Sequence, residues 1–236
     1  MFNVISILRC RVNSKEKNET IFNEIRATLD AAGYFLEFIN KKIGEIKHNN
    51  QRCYLSVNDA YFRMSKEFYE SFLTLIIDHK DFSAIVILRT QLEIYVKSFY
   101  LEFVVKQNDG SLDVDSLISN EKFFPAFHVM ANKIDSYESE HGFHTGGHFR
   151  QFTKSILSTY EKLSYFTHGK GPYLEVLLKS DSVQLDIENT RDLLITAKGV
   201  FEMLSLLYFG TQGRMDLGRE ALNELLMINP EMYKSS

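Results

Sequence analysis

The sequence has no tryptophan, only three prolines and two cysteines, and twelve glycines in 236 residues. Each shortage excludes something. With so little Pro and Gly to punctuate it, the chain favours long uninterrupted elements over a many-turned β architecture. Cys10 and Cys53 stand far apart, with neither metal-ligand nor redox spacing. They point away from a disulfide scaffold and towards a reducing compartment. Positive charge is not in excess: 27 Lys and Arg face 31 Asp and Glu, for a net charge of −4. That balance, with no lysine-rich arm or tail, speaks against a general nucleic-acid coat and leaves room only for a local basic patch. No run of about eighteen uncharged apolar residues occurs, so no membrane span is expected. The opening MFNVISILRCRV has a short apolar run without preceding positive charges or a small-residue cleavage site, so it does not read as a secretory leader. The expected location is the cytoplasm, of a bacterial kind of cell.

Hydrophobic residues make up 44% and charged residues 25%, the balance of a soluble globular chain. The length suffices to bury a core without disulfides or metals. The 19 Phe and 12 Tyr must mostly go inside, so that core is expected to be rich in rings.

Helical spacing dominates. Residues 1–18 read as an N-terminal arm, with Val4, Ile5, Ile7 and Leu8 as a short strand or packing segment. Residues 19–236 read as a single helical-bundle domain of about six to seven helices. Ile21, Phe22, Ile25, Leu29, Ala32, Leu36, Ile39 and Ile43 recur with one buried stripe, as a helix requires. A second helix is expected over about 51–79. Asp78 to Asp81 forms a turn in which Asp81 is placed to cap the next helix. The third helix, near 82–106, is apolar almost all round and so belongs at the centre of the bundle. The spacing predicts a fourth helix over about 121–140, with Pro125 near its start. A fifth follows over about 148–168, a sixth over about 187–209 broken by Gly210 and Gly213, and a last one over about 215–228. Asp135, Glu138 and Glu140 read as a solvated acidic helix end. The expected fold is all-α.

Arg89, Glu93 and Lys97 recur every four residues along the central helix, so they share one face. Charges there are costly unless paired. The stretch YEKLSYFTHGKG repeats that spacing with Tyr160, Ser164 and His168, and then stops on Gly169-Lys170-Gly171. His168 falls in the last turn, where the helix dipole favours an imidazolium. If the two helices meet, Arg89 can bind an anion or pair with Glu93, and Glu93 can fix the tautomer of His168. The same residues also make sense as a buried network that only sets helix register. His141, His144 and His148 lie within eight residues, but no carboxylate or cysteine completes a known metal pattern. No metal and no cofactor is expected. The glycines after His144 can offer backbone N–H groups to an anion at a helix start.

Arg89-x3-Glu93 in an apolar helix, followed by Tyr160-x2-Leu163-Ser164-x3-His168-Gly169, resembles uncharacterised bacterial helical proteins similar to the HEPN superfamily. The likeness covers roughly residues 55–210. It implies a helical bundle in antiviral defence or stress, acting on RNA or working with a partner protein of such a system. It also implies pairing into a homodimer through helices. On this reading His168, Arg89 and Glu93 are the catalytic candidates. His168 would be the general acid or base, and Arg89, Lys162 or Lys170 would stabilise the phosphate. Tyr160, Ser164, Lys170, Lys97 and Lys162 would line the pocket. One departure stands out. Nuclease members carry an Arg with four to six residues between it and the later His, and those positions here hold Leu163, Lys162 and Glu161. Lys162 lacks the planar fork of Arg. The usual RNase motif is absent, and a binding module for a small anionic ligand stands as the alternative.

Overall fold

The computed structural model of the chain describes residues 17–46, 53–106, 123–140, 148–152, 160, 163–164, 178 and 185–229. These residues form seven helices in order: α1 (Lys17–Ile43), α2 (Cys53–Ile77), α3 (Asp81–Tyr100), α4 (Phe127–Glu140), α5 (His148–Gln151), α6 (Ile187–Thr211) and α7 (Met215–Ile228). Among the described residues there is no strand. The fold class is the all-α bundle that the spacing predicts. Expectations that fall on 1–16, 107–122, 141–147 and 165–177 lie outside the described residues.

α3 is central, as its apolar circumference requires. It packs against α2, α4 and α6. α6 shares that position, touching α1, α2, α3 and α7. α6 is long and apolar enough to cross a membrane, but 61% of its most apolar window is buried within the fold, so it serves as a core helix. Most of the described rings are at least partly buried, and two clusters of them stand out. Phe62 stacks on Tyr208 with centroids 4.0 Å apart, and Tyr69 stacks on Phe201 at 4.4 Å. Phe35 of α1 meets the edge of Phe201. The second group runs from Tyr95 through Phe149 and Phe99 to Phe103 and Tyr137.

Several boundaries differ from the spacing, each for a local reason. α1 begins at Lys17, two residues inside the expected arm. α2 closes on His79, whose φ is 59°. The Lys80 N–H reaches the Leu75 carbonyl at 2.8 Å, and the His79 N–H reaches Ile76 at 3.2 Å. This is the left-handed helix end that usually takes Gly. Asp81 does not cap α3. Lys80 holds the cap position without a side-chain bond. The buried Asp81 carboxylate instead accepts from the Leu185 N–H at 2.9 Å, tying the start of α3 to the start of α6. α3 ends at Tyr100 and runs on through a π-helical turn, Leu101–Val105.

α4 begins at Phe127, after Pro125, with the Ala126 carbonyl accepting from Val129 and Met130. Gly210 does not break α6. The helix passes through it to Thr211, and Gly213, with φ at 71°, ends it. The Arg214 N–H reaches Phe209 at 2.9 Å, and the Gly213 N–H reaches Gly210 at 3.0 Å. The largest difference concerns 148–168. The Tyr160 N–H donates to the Phe152 carbonyl at 3.0 Å. One continuous helix would separate those residues by about 12 Å of rise, so α5 and the Tyr160 segment are not a single helix.

Asp135 is not part of a solvated end. It is 3% exposed. Its two oxygens accept from the backbone N–H groups of Phe149 and Arg150, at 3.0 and 2.8 Å, and from the Arg150 Nε–H at 3.0 Å. The start of α5 therefore receives a carboxylate from the protein itself, carried on α4.

Candidate functional site

α3 leaves one strip of its surface partly open, and Arg89, Glu93 and Lys97 occupy it one turn apart, as i, i+4 and i+8 dictate. Lys97 takes the middle carboxylate: its Nζ donates to Glu93 Oε1 at 2.8 Å. Arg89 Nη1 stands 4.0 Å from Glu93 Oε2, at the outer limit of an ion pair.

Arg89 turns instead to the segment that the sequence pairs with it. Its Nε–H donates to Ser164 Oγ at 3.0 Å, and its Nη2 donates to the Tyr160 hydroxyl at 2.8 Å. Both hydroxyls donate in turn. Ser164 donates to the Tyr160 carbonyl at 2.6 Å, and Tyr160 donates to Glu93 Oε2 at 3.4 Å. Arg89 is thus the common donor of two hydrogen-bond chains that polarise in the same sense. Packing holds the phenol in place. The ring of Tyr160 lies flat on Phe127, with centroids 4.0 Å apart and planes 3° apart. The guanidinium carbon sits 4.8 Å from the Tyr160 ring centroid, a cation–π contact.

The wall beyond is aromatic. Lys97 Nζ lies 5.2 Å over the ring of Phe124, and Phe124 leans on Tyr61 of α2. Burial, with the Glu93 charge nearby, pushes the Tyr61 phenol up to about 12. Burial first, then Glu93, also raises Tyr160, against the opposing pull of Arg89. Both phenols stay protonated at neutral pH, so the Tyr160 hydroxyl remains a hydrogen-bond donor to Glu93.

Of the residues singled out in the sequence, Arg89, Glu93, Lys97, Tyr160 and Ser164 come together. His168, Lys162 and Lys170 lie outside the described residues. Glu93, expected to orient an imidazole, here accepts from Lys97 and Tyr160. Tyr61, Phe124 and Phe127 belong to the site and read from spacing only as core. Their helical periodicity points inward without saying which helix they meet.

Among the described residues no group of three or more His, Cys, Asp or Glu is placed to hold a metal ion. His148 is engaged otherwise: Nε2 is 2.9 Å from the Tyr95 hydroxyl, and Nδ1 is 2.8 Å from Gln151 Nε2. Burial lowers its pKa, partly countered by Asp135. His141 and His144 lie outside the described residues.

No protein-family model matches the chain, and neither a curated protein nor a solved structure matches it.

Proposed function

We propose that the chain is a helical binding protein that receives an oxyanion, of the phosphate type, at Arg89. One observation carries this reading. Arg89 spends Nε and Nη2 on neutral hydroxyls and stands 4.0 Å from Glu93, a carboxylate that Lys97 holds more closely at 2.8 Å. Two cations therefore share one carboxylate. The Arg89 side chain keeps 18% of its surface in contact with solvent. A guanidinium held in a fixed plane is suited to an oxyanion. The hydroxyls and the flat Tyr160–Phe127 stack preorganise it, which lowers the entropy cost of binding.

RNA is the ligand class that the likeness to the HEPN superfamily selects, with a role in bacterial defence. Cleavage of that RNA would call on His168 as acid or base. Simple retention of an anionic group needs only the α3 strip.

The experiment measures binding of a labelled single-stranded RNA, and of inorganic phosphate as competitor, to the wild type and to Arg89→Ala and Lys97→Ala. Total RNA is incubated in parallel with wild type and His168→Ala. Binding that weakens with Arg89→Ala and falls with salt supports the reading. Cleavage lost in His168→Ala extends it to an RNase. Binding of neither RNA nor phosphate leaves the network with a structural role alone and ends the proposal.

A further inference from the structure

α1 and α7 run antiparallel where they meet. The Arg214 guanidinium donates to the Glu45 carbonyl at 2.9 Å, Lys42 pairs with Glu220 at 2.6 Å, and the Tyr34 hydroxyl donates to Glu224 at 3.3 Å. Rising numbers on α1 thus meet falling numbers on α7. Between these ties lies a groove of about 480 Å³, lined by five residues of α1 and by Glu220 and Glu224 of α7. That volume lies in the range of small-ligand sites. The groove shares no residue with the α3 strip.

Spacing orders its lining. Tyr34, Phe38 and Lys42 recur every four residues and so share one stripe, and Glu37 and Lys41 share the next. Phe38, in the middle, is partly buried against the core and stacks on Phe35 with centroids 6.1 Å apart. Glu37 and Lys41 are exposed, and the Tyr34 ring is 53% open to solvent.

Charge is divided between the two ends. The Tyr34 end holds Glu37 and Glu224 and no lining cation. The partner of Glu224 there is a neutral phenol. The negative field shows on that phenol: Glu224 chiefly, with Glu37 adding, holds Tyr34 above its ordinary value. The other end holds both lysines. Lys42 is committed, at 2.6 Å from Glu220 and 3.3 Å from Glu45, with its Nζ 5.8 Å from the Phe38 centroid. Lys41 makes no hydrogen bond or ion pair among the described residues, and neither does Glu37. The two stand at i and i+4 in the order that favours pairing, but such a surface pair is weak and does not withhold them from a ligand.

We propose that this groove binds a small zwitterion, an ammonium and a carboxylate held about 6 Å apart, one helical turn, of the ω-amino-acid or dipeptide type. The ammonium lies between Glu37 and Glu224 against the Tyr34 ring, where carboxylates and a π face both favour a cation. The connecting chain crosses Phe38, and the carboxylate meets Lys41. A simple anion would leave the Tyr34 end unmatched, and a diamine would bring its second charge against two lysines.

The test is a titration of the full chain with γ-aminobutyrate and with glycylglycine, read by calorimetry and by amide NMR shifts in α1 and α7. Butylamine and butyrate carry one charge each and serve as controls. For ligands this small the expected Kd is of the order of 1 mM. At least one zwitterion should bind, each single-charge control about threefold or more weaker. Tighter binding of γ-aminobutyrate assigns the site to amino acids, and tighter binding of glycylglycine assigns it to peptide termini. Glu37→Gln and Lys41→Gln should each weaken the zwitterion about threefold or more. Both positions are exposed, and circular dichroism checks that the variants fold. Lys41→Gln should leave butylamine unaffected, a readout that general loss of structure would not give. Saturation by neither zwitterion overturns the proposal. So does butylamine binding as tightly as the zwitterions, or a Lys41→Gln variant with wild-type affinity for them.

Discussion

Arg89 and Tyr160, 71 positions apart in the chain, are joined by a 2.8 Å hydrogen bond from guanidinium to phenol. The same two side chains also make a cation–π contact, with the guanidinium carbon 4.8 Å from the ring centroid. Because Arg89 is the donor and Tyr160 donates in turn to Glu93, removing either end disturbs the whole chain of bonds.

Arg89→Ala should lower stability by about 2 kcal/mol, the range for hydrogen bonds from a charged group, and lower Tm by about 4–8 °C. Tyr160→Phe keeps the ring on Phe127 and should cost about 1 kcal/mol. Thermal unfolding of both variants and of the double mutant checks this. If the bond is what couples the two residues, the double mutant loses less than the two single changes added together. Full additivity would mean that the contact carries no energy.

Asp135→Ala should be at least as damaging. It strips a buried carboxylate from two backbone N–H groups and a guanidinium. About 2–3 kcal/mol is expected, combining loss of a helix cap with loss of charged hydrogen bonds. The midpoint of urea unfolding reads the change. A shift no larger than that of a surface substitution would contradict the capping role.

Gly213→Ala should destabilise by about 1 kcal/mol, the cost of a side chain in left-handed backbone. The space around Gly213 is open, so no clash adds to it. Gly199→Ala, in helical backbone with open space, should leave Tm unchanged or slightly raised. The difference in Tm between the two variants isolates the backbone term.

His148 sets a pH dependence. Burial depresses its pKa below the ordinary 6.5, so the folded protein holds the neutral ring more strongly than the unfolded chain does. This contribution is fully present above about pH 6.5 and is lost as pH falls through that value towards the folded pKa. Tm should therefore drop between pH 7.5 and 5, and His148→Gln should flatten the drop. Glu202 acts in the opposite sense at lower pH. Burial raises its carboxyl above the ordinary 4.5 despite Lys198, so its contribution grows as pH falls through the raised value. A Tm profile unchanged by His148→Gln would rule out the imidazole as the source.

The helices were legible in the sequence because they rest on periodicity. The same spacing put Arg89 with Glu93 on one face and Tyr160 with Ser164 on another. That the two faces meet was only a condition there, and it is seen in the hydrogen bonds of Arg89. Charges every fourth residue share a face, and charges in an apolar helix need partners. What periodicity cannot show is the identity of distant partners. Asp135 sits among Glu138 and Glu140 and reads as solvated, yet its ligands are the N–H groups of Phe149 and Arg150. Asp81 reads as a local cap, yet its partner is Leu185. Tyr160 lies back against Phe152, yet no Gly or Pro stands between them in the sequence, so the apolar pattern there reads as one helix. Helix ends built on His79 and Gly213 show the same asymmetry: the glycine announces itself, and the histidine does not.

The π-helical turn at Leu101–Val105 has a consequence for how the chain tolerates changes of length. Such a turn holds one residue more than the α-helical turn it replaces. Deleting a residue there should tighten the backbone into ordinary helix and leave everything before Tyr100 in phase. The same deletion between Arg89 and Lys97 would swing one end of that charge ladder by about 100° relative to the other and scatter its partners. The helix thus carries its slack just past the stretch that has none to spare.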